Sequence, residues 1–381
     1  MVRSYIAGLL REWSGLPGGR GLKLWLLSLL MWALPAMGAT IVDPGHGAET
    51  LAPGTPMAAG LSGLAYAGAD VYYAIGDGSG VTAFELDIEI DLTTAEILSA
   101  TVVDSQVLAA GGDLEGIVHH PLGGSVLVSD EVGYAIREHS LSDGSVLSTL
   151  GVPAIFANVR SNFGLESLAM RVAPSSADDA LWTANEEALT VDGALSTNTT
   201  GSIVRLQRFD DLQAADGQWA YVTDPYPGGA AGGLERSGVS EMLSLPNGEV
   251  LVLERSFSSQ LFRARIYQVD FAGATDTSAL TDLAVDPFTP VSKTLLWQTA
   301  FILQNYEGLA IGPQLDAGDW SLLLISDSGG GAPQNLYALR LQPMPEPSAA
   351  LQLGAGLLAL WLVHARRHGV GAVSRRRRSS R

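Results

Sequence analysis

Four short words place a lone glutamate at the head of an apolar run: DLEGIVHHP around Glu115, NFGLESLAM around Glu166, GVSEMLSLP around Glu241 and NYEGLAIGP around Glu307. A second series of acids closes the run that follows each word. It comprises Asp130 with Glu131, Glu186 with Glu187, Glu254, and Asp327, and an earlier unit contributes Asp77. Carboxylate oxygens are hard ligands, so an all-oxygen set of this kind suits Ca²⁺, or Mg²⁺, better than zinc. With no cysteine in 381 residues, thiolate sites and cysteine nucleophiles are excluded.

These acids do chemistry together only if the fold brings them together. The segment 40–342 reads as a succession of short runs of 4–9 residues, rich in Val, Ile, Leu, Tyr and Thr and bounded by Gly, Pro, Asn and Asp. No part of it keeps a helical period over a dozen residues. The runs group in fours, with units starting near residues 62, 115, 166, 241 and 307. Four-stranded units at this spacing predict an all-β fold, a β-propeller of five blades, with room for a sixth in the two longer intervals. The fifth unit lacks a fourth strand. TIVD at 40–43 is the candidate to complete it, closing the ring and leaving no open sheet edge.

In a propeller the first strand of each blade lines the central channel. The glutamates that begin those strands would then meet at one mouth, joined by the acids that end the second strands. The expected metal set is Glu115, Asp130, Glu131, Glu166, Glu186, Glu241, Glu254, Glu307 and Asp327. Convergent carboxylates raise one another's pKa unless a cation joins them. The competing expectation is structural: Arg160, Arg171 or Arg255 pairs with these acids between blades. His119, His120 and His139 belong to the second unit and read as loop or strand positions. GHG at 45–47 reads as a turn, and no G-x-S-x-G elbow or phosphate-binding glycine loop occurs.

Charge is unevenly distributed. The chain carries a net −18, but residues 1–39 hold four Lys/Arg and one acid, and residues 364–381 hold seven Arg and no acid. The body therefore stands near −28, a surface that repels nucleic acid. At the N-terminus a basic stretch leads into LWLLSLLMWALPAMGA (24–39), the pattern of a secretory signal over 1–39. At the C-terminus, 343–381, Pro345-Glu346-Pro347 precedes an apolar segment of about membrane-spanning length (349–365) and an arginine-rich tail (366–381). That order resembles the PEP-CTERM sorting signal. The resemblance implies export in a Gram-negative-type bacterium, passage through signal peptidase, and recognition by an exosortase. A membrane helix would hold the chain before cleavage, and the final location would be the envelope, surface or medium.

The body resembles the phytase-like family, described by esterase-like activity. The motifs that carry the likeness are DLEGIVHHPLGGSVLVSDE (113–131), NVRSNFGLESLAM (158–170) with LWTANEEAL (181–189), GVSEMLSLPNGEVLVLERSF (238–257) and NYEGLAIGP (305–313). Glu115, Asp130, Glu131, Asn162, Glu166, Glu186, Glu241, Glu254, Arg255 and Glu307 match the family pattern. Ser167 and Met242 stand where the second unit has Gly116. The resemblance implies a propeller and phosphoester hydrolysis with calcium, in which Glu166 or Glu131 would orient the attacking water. A mouth poor in Lys and Arg argues for a small phosphoester over a polyphosphorylated one. Two other functions fit the same residues. One is a non-catalytic, calcium-stapled surface propeller binding an extracellular polymer or partner; the other is a lactonase-like hydrolase.

Overall fold

The computed structural model describes residues 39–342, excepting 53–57, 59, 77–80, 172–179, 212, 229–232, 301 and 329–332. The two terminal segments, and Asp77, lie outside the described residues. Among the described residues no helix is long and apolar enough to cross a membrane.

Four-stranded antiparallel sheets recur five times. Blade 1 comprises β3 (Leu61–Gly68), β4 (Val71–Gly76), β5 (Thr82–Ile90) and β6 (Ile97–Val107). Blade 2 comprises β7 (Leu114–His119), β8 (Ser125–Asp130), β9 (Ala135–Ser140) and β10 (Val146–Leu150). Blade 3 is built from β11 (Leu165–Arg171), β12 (Ala180–Asn185), β13 (Ile203–Phe209) and β14 (Ala215–Val222). Blade 4 is built from β15 (Arg236–Ser244), β16 (Val250–Ser258), β17 (Leu261–Asp270) and β18 (Ser292–Gln298). Blade 5 takes β19 (Asn305–Gln314), β20 (Trp320–Asp327) and β21 (Asn335–Gln342) from the end of the domain. Its fourth strand is β1 (Thr40–Val42), as the sequence predicts, with β2 (Ala48–Thr50) beside it on β21.

Closure is specified by register. Ile41 lies opposite Leu341 and is buried, whereas a one-residue slip would turn it outward. Asp43 then accepts hydrogen bonds from Tyr337 Oη at 2.8 Å and from Gly45 N at 2.8 Å, and from Trp297 Nε1 at 3.3 Å. GHG, expected as a turn, lies instead in a short loop between β1 and β2, which both run along β21; Gly45 has φ 75° and Gly47 φ 87°.

Among the described residues there is no sixth blade. The longer interval within blade 4 is a loop between β17 and β18 that docks on the outer strand of blade 3: Thr277 N donates to Gln218 O at 2.7 Å and Val291 N to Ala220 O at 2.9 Å. The apolar core is divided among the five seams between blades. One cluster joins blades 1 and 5 through Leu61, Phe84, Leu323 and Ile325; another joins blades 3 and 4 through Trp182, Tyr221, Met242 and Val252. The remaining three seams have their own clusters. Sheets whose two faces both pack on neighbours need apolar residues on both, which is why the central strands read as continuous hydrophobic runs.

Around the axis the first strands approach closely. A Cβ at Gly116 would lie 2.4 Å from Leu168 N, and one at Gly63 would lie 2.4 Å from Glu115 O. The glycine that follows the glutamate in DLEG therefore serves inter-blade contact.

Candidate functional site

Every first strand is irregular at the same point. In each blade one residue is skipped in the pairing with the second strand: Ser62, Glu115, Glu166, Ser240 and Glu307 in blades 1 to 5, with Gly116 facing Ser129 beside the second of these. A β-bulge of this kind re-aims one side chain and ends the regular alternation. The three bulge glutamates, Glu115, Glu166 and Glu307, all line one cavity of about 290 Å³ at the mouth of the channel.

The second strands contribute by the same geometry. The residue opposite the position before the bulge is Asp130, Asn185, Glu254 or Ser326 in blades 2 to 5. The next residue in each case, Glu131, Glu186, Arg255 or Asp327, lines the cavity. Two residues before the bulge stand Asp113, Gly164, Gly238 and Asn305; of these, Asp113 and Asn305 bring side chains to the cavity. Asn162, with φ 62°, stands on the rim. In all, seven carboxylates and two arginines, Arg236 and Arg255, surround the space among the described residues.

The two sides of the mouth differ. On the side of blades 2 and 3, Asp113, Glu115 and Glu131 each bring a carboxylate oxygen into a group spanning no more than 4.8 Å. Glu131 Oε1 accepts from Gly164 N at 3.0 Å. The Glu131 carboxyl lies beside those of Asp113 and Glu166, and carboxyls this crowded favour holding a proton among them. Burial, with Glu115, Glu186 and Glu131 around it, pushes Glu166 well above the usual carboxylate range. Burial likewise raises Glu131, against hydrogen bonds that pull it back, and raises Asp113.

On the other side Arg255 bridges two acids. It donates to Glu186, and its second amino group lies 3.1 Å from Glu307. Burial disfavours the charged guanidinium, but Glu307, Glu186 and Glu166 outweigh it and hold Arg255 protonated. Burial still pushes Glu307 up to about 7 against the pull of Arg255. Asn305 Nδ2 donates to Glu307 at 2.9 Å, while its buried Oδ1 has no hydrogen-bond partner among the described residues. Arg236 lies over the Phe163 ring, 4.9 Å from its centre.

Three acids of the expected metal set are elsewhere, each one residue out of phase. Asp130 pairs with Arg137 at 2.6 Å and caps Gly133 N at 2.9 Å. Glu254 is enclosed between blades 3 and 4, accepting from Tyr221 Oη at 2.6 Å, Lys293 Nζ at 2.5 Å and Asp224 N at 3.0 Å. In blade 4 the bulge residue is Ser240, so Glu241 turns into the seam and accepts from Leu168 N and Met242 N, both at 2.9 Å. Burial raises Glu241 well above its ordinary range.

The structural pairing expected of the arginines holds for Arg255 alone among those the described contacts show. Arg160 donates to the backbone oxygens of Ala188 and Gly193 at 3.0 and 2.8 Å. The histidines stay away from the cavity: His119 stacks on Tyr73, and His139 is buried with Nδ1 3.1 Å from Gly144 O.

Asp113, Asn305 and Arg236 are absent from the sequence-based set. Aligning the words on the residue two before the bulge, as D-L-E-G, G-L-E-S, G-V-S-E and N-Y-E-G, exposes Asp113 and Asn305 and moves Glu241 out of register.

A family model described as phytase-like, esterase-like activity of phytase, matches residues 56–329. No curated protein matches the chain. Solved structures that it resembles include the glutaminyl cyclase of Myxococcus xanthus, at 13% identity over 81% of this chain and 97% of that one with a TM-score of 0.33. Kuenenia stuttgartiensis hydrazine synthase is similar at 10% identity over 70% and 77%, TM-score 0.31. A Lactobacillus plantarum protein is similar at 10% identity over 74% and 88%, TM-score 0.32. Likenesses this distant carry no argument about this site.

Proposed function

The chain belongs to the phytase-like family, and from that premise we propose that its mouth is a divalent-cation site that hydrolyses a phosphoester. The observation that carries the reading is the group of Asp113, Glu115 and Glu131, whose oxygens lie within 4.8 Å of one another, with the buried Glu166 lining the same cavity. Crowding of buried carboxyls favours their protonated form, and a cation bound among them favours the ionised one. The donor set is all oxygen and includes the unpartnered Asn305 Oδ1 across the cavity, which fits Ca²⁺, or Mg²⁺.

Asp113, Glu115 and Glu131 would hold the ion. A bound cation polarises phosphoryl oxygens and lowers the pKa of water. Glu166 takes the proton of the attacking water, a task suited to a buried carboxyl whose pKa is raised. Arg255 stays charged and holds Glu186 and Glu307 in place on the opposite wall.

The test is calcium-dependent turnover of a chromogenic phosphoester by the 40–342 segment and by its Glu166→Gln variant, with melting curves for both. Turnover that needs calcium and drops about 100-fold in the variant supports the reading. A calcium-raised melting temperature without turnover would instead favour the stapled, non-catalytic propeller.

Export belongs to the same proposal. Residues 1–39 would be removed by signal peptidase, and 343–381 would be read by an exosortase near Pro345-Glu346-Pro347 after the apolar segment enters the membrane. Protein recovered from its own cells should begin near residue 39 or 40 and end near 345. Recovery of the full-length chain in the cytoplasm would contradict this.

A further inference from the structure

One wall of the mouth carries no acid. On β16 the alternation of the strand brings Arg255 and Phe257 to the cavity and leaves Glu254 and Ser256 buried in the seam. Phe257 lies opposite Phe262 on β17, with ring centres 4.9 Å apart. The hairpin that joins them turns on Ser259 and Gln260 alone, at φ 53° and 67°. Two consecutive residues of positive φ form the tight hairpin turn whose twist matches its strands, so the aromatic pair stands on a fixed support.

The apolar surface continues outward. Phe262 exchanges both backbone hydrogen bonds with Ile302, at 2.8 and 2.9 Å, which brings Leu303 alongside with 76% of its surface exposed. Leu234, on the rim, is 64% exposed. A second cavity of about 460 Å³ adjoins the first and shares Phe262, Asn305 and Asp327 with it; Leu303 and Pro333 extend its apolar side, and Thr50, Gln304, Ser328 and Asn335 form a polar edge. The acid floor and an aromatic trough therefore form one continuous, amphiphilic depression.

We propose that the substrate is a phosphomonoester of an apolar, aryl- or alkyl-bearing alcohol. Its phosphate sits over the acid-lined floor beside Arg236 and Arg255, and its alcohol portion lies against Phe257, Phe262 and Leu303. This rests on the hydrolase reading and narrows it. Water oxygen bonds to phosphorus, the bond from phosphorus to the alcohol oxygen breaks, and the alcohol leaves with a proton, giving free phosphate. A polyphosphorylated ring would instead set charged groups on the phenyl faces and gain nothing there.

Phenylphosphonate and methylphosphonate share the anionic head and lack a hydrolysable ester, so they separate recognition from catalysis. Calorimetry on the full chain in calcium chloride should show phenylphosphonate binding at least ~10-fold more tightly, from burial of the ring. Phe262→Ala should bring the two affinities within about twofold, and Phe257→Ala, an independent variant if the first fails to fold, should reduce the gap in the same direction. In turnover, phenyl phosphate should exceed glycerol phosphate in kcat/KM, with the advantage lost in the same variants.

Equal affinities in the parent protein, an advantage that survives both substitutions, or no binding of phenylphosphonate overturns the inference. Selective binding without hydrolysis of either ester supports the aromatic trough and rejects the hydrolase reading. Equal hydrolysis of both esters, untouched by the phenylalanine substitutions, does the reverse.

Discussion

The acids of the mouth and the cation-paired acids of the seams are both withdrawn from water, yet they are partnered in opposite ways. Asp192 faces Arg205 Nε at 2.6 Å with both side chains fully buried, and that arginine also reaches Gln218 at 2.6 Å and the Leu280 carbonyl at 3.0 Å. Glu254 has Lys293, Tyr221 and the Asp224 amide. On the acid-rich side of the mouth, by contrast, Asp113, Glu131 and Glu166 crowd together, and burial with neighbouring like charges raises all three. A buried acid supplied with its own cation is a structural joint. A buried acid whose partners are other acids is at its best only with protons or an external cation. Seam pairs should therefore be intolerant of losing one member and indifferent to calcium, and mouth acids the reverse.

The sharpest contrast comes from removing a seam cation. Arg205→Met strands Asp192 in the interior and should cost on the order of 3–5 kcal/mol of folding stability, read by chemical denaturation. A cost below about 1 kcal/mol would erase the distinction drawn here. Glu131→Gln should behave in the opposite way. Without metal its stability should change by less than about 1 kcal/mol, since the proton-sharing pair becomes a neutral hydrogen bond. Its calcium-induced rise in melting temperature should vanish.

The response of the pH dependence to calcium should also mark the mouth, since burial raises seam acids such as Glu241 and Glu254 too. Burial pushes Glu307 up to about 7 and raises Glu166 well above the ordinary carboxylate range. A carboxyl whose folded pKa is raised binds more protons in the folded state, so its contribution is fully present below the unfolded value near 4.5 and is lost as pH rises through the folded one. Metal-free protein should therefore lose several degrees of melting temperature between pH 5 and 8, and saturating calcium should flatten the decline. Stability that rises over this window would reject the assignment of raised pKa values.

The smallest expected effect tests the register. Glu115→Gln should weaken calcium binding by about tenfold or more, whereas Glu241→Gln should leave it within about twofold, because Glu241 faces Leu168 and Met242 in the seam. Equal losses would show that the words around the two glutamates are equivalent after all.

Much of this architecture is legible in the sequence. Blade count, the order of strands and closure by residues 40–42 follow from short apolar runs, turn residues and the missing fourth strand of the last unit. Six of the nine expected metal-set acids reach the mouth. The other three fail for one reason. Strand alternation has a period of two, so a neighbour one position away faces another way, and Asp130, Glu241 and Glu254 are each such neighbours. Similarity of words cannot fix which residue bulges; the backbone pairing does, and in blade 4 it selects Ser240. Arg255 matches the family words, but its bridging of Glu186 and Glu307 depends on contacts between residues about 50 or more positions apart, which no local pattern records.

The most direct test is calorimetric titration of the metal-free protein with calcium at pH 7 in two buffers of different ionisation enthalpy. Binding among the crowded mouth acids should expel protons, so the apparent enthalpy should differ between the buffers by an amount corresponding to about one proton or more per ion, and the difference should shrink in Glu166→Gln, which leaves Asp113 and Glu131 in place. No calcium binding, or the same enthalpy in both buffers, would contradict the account.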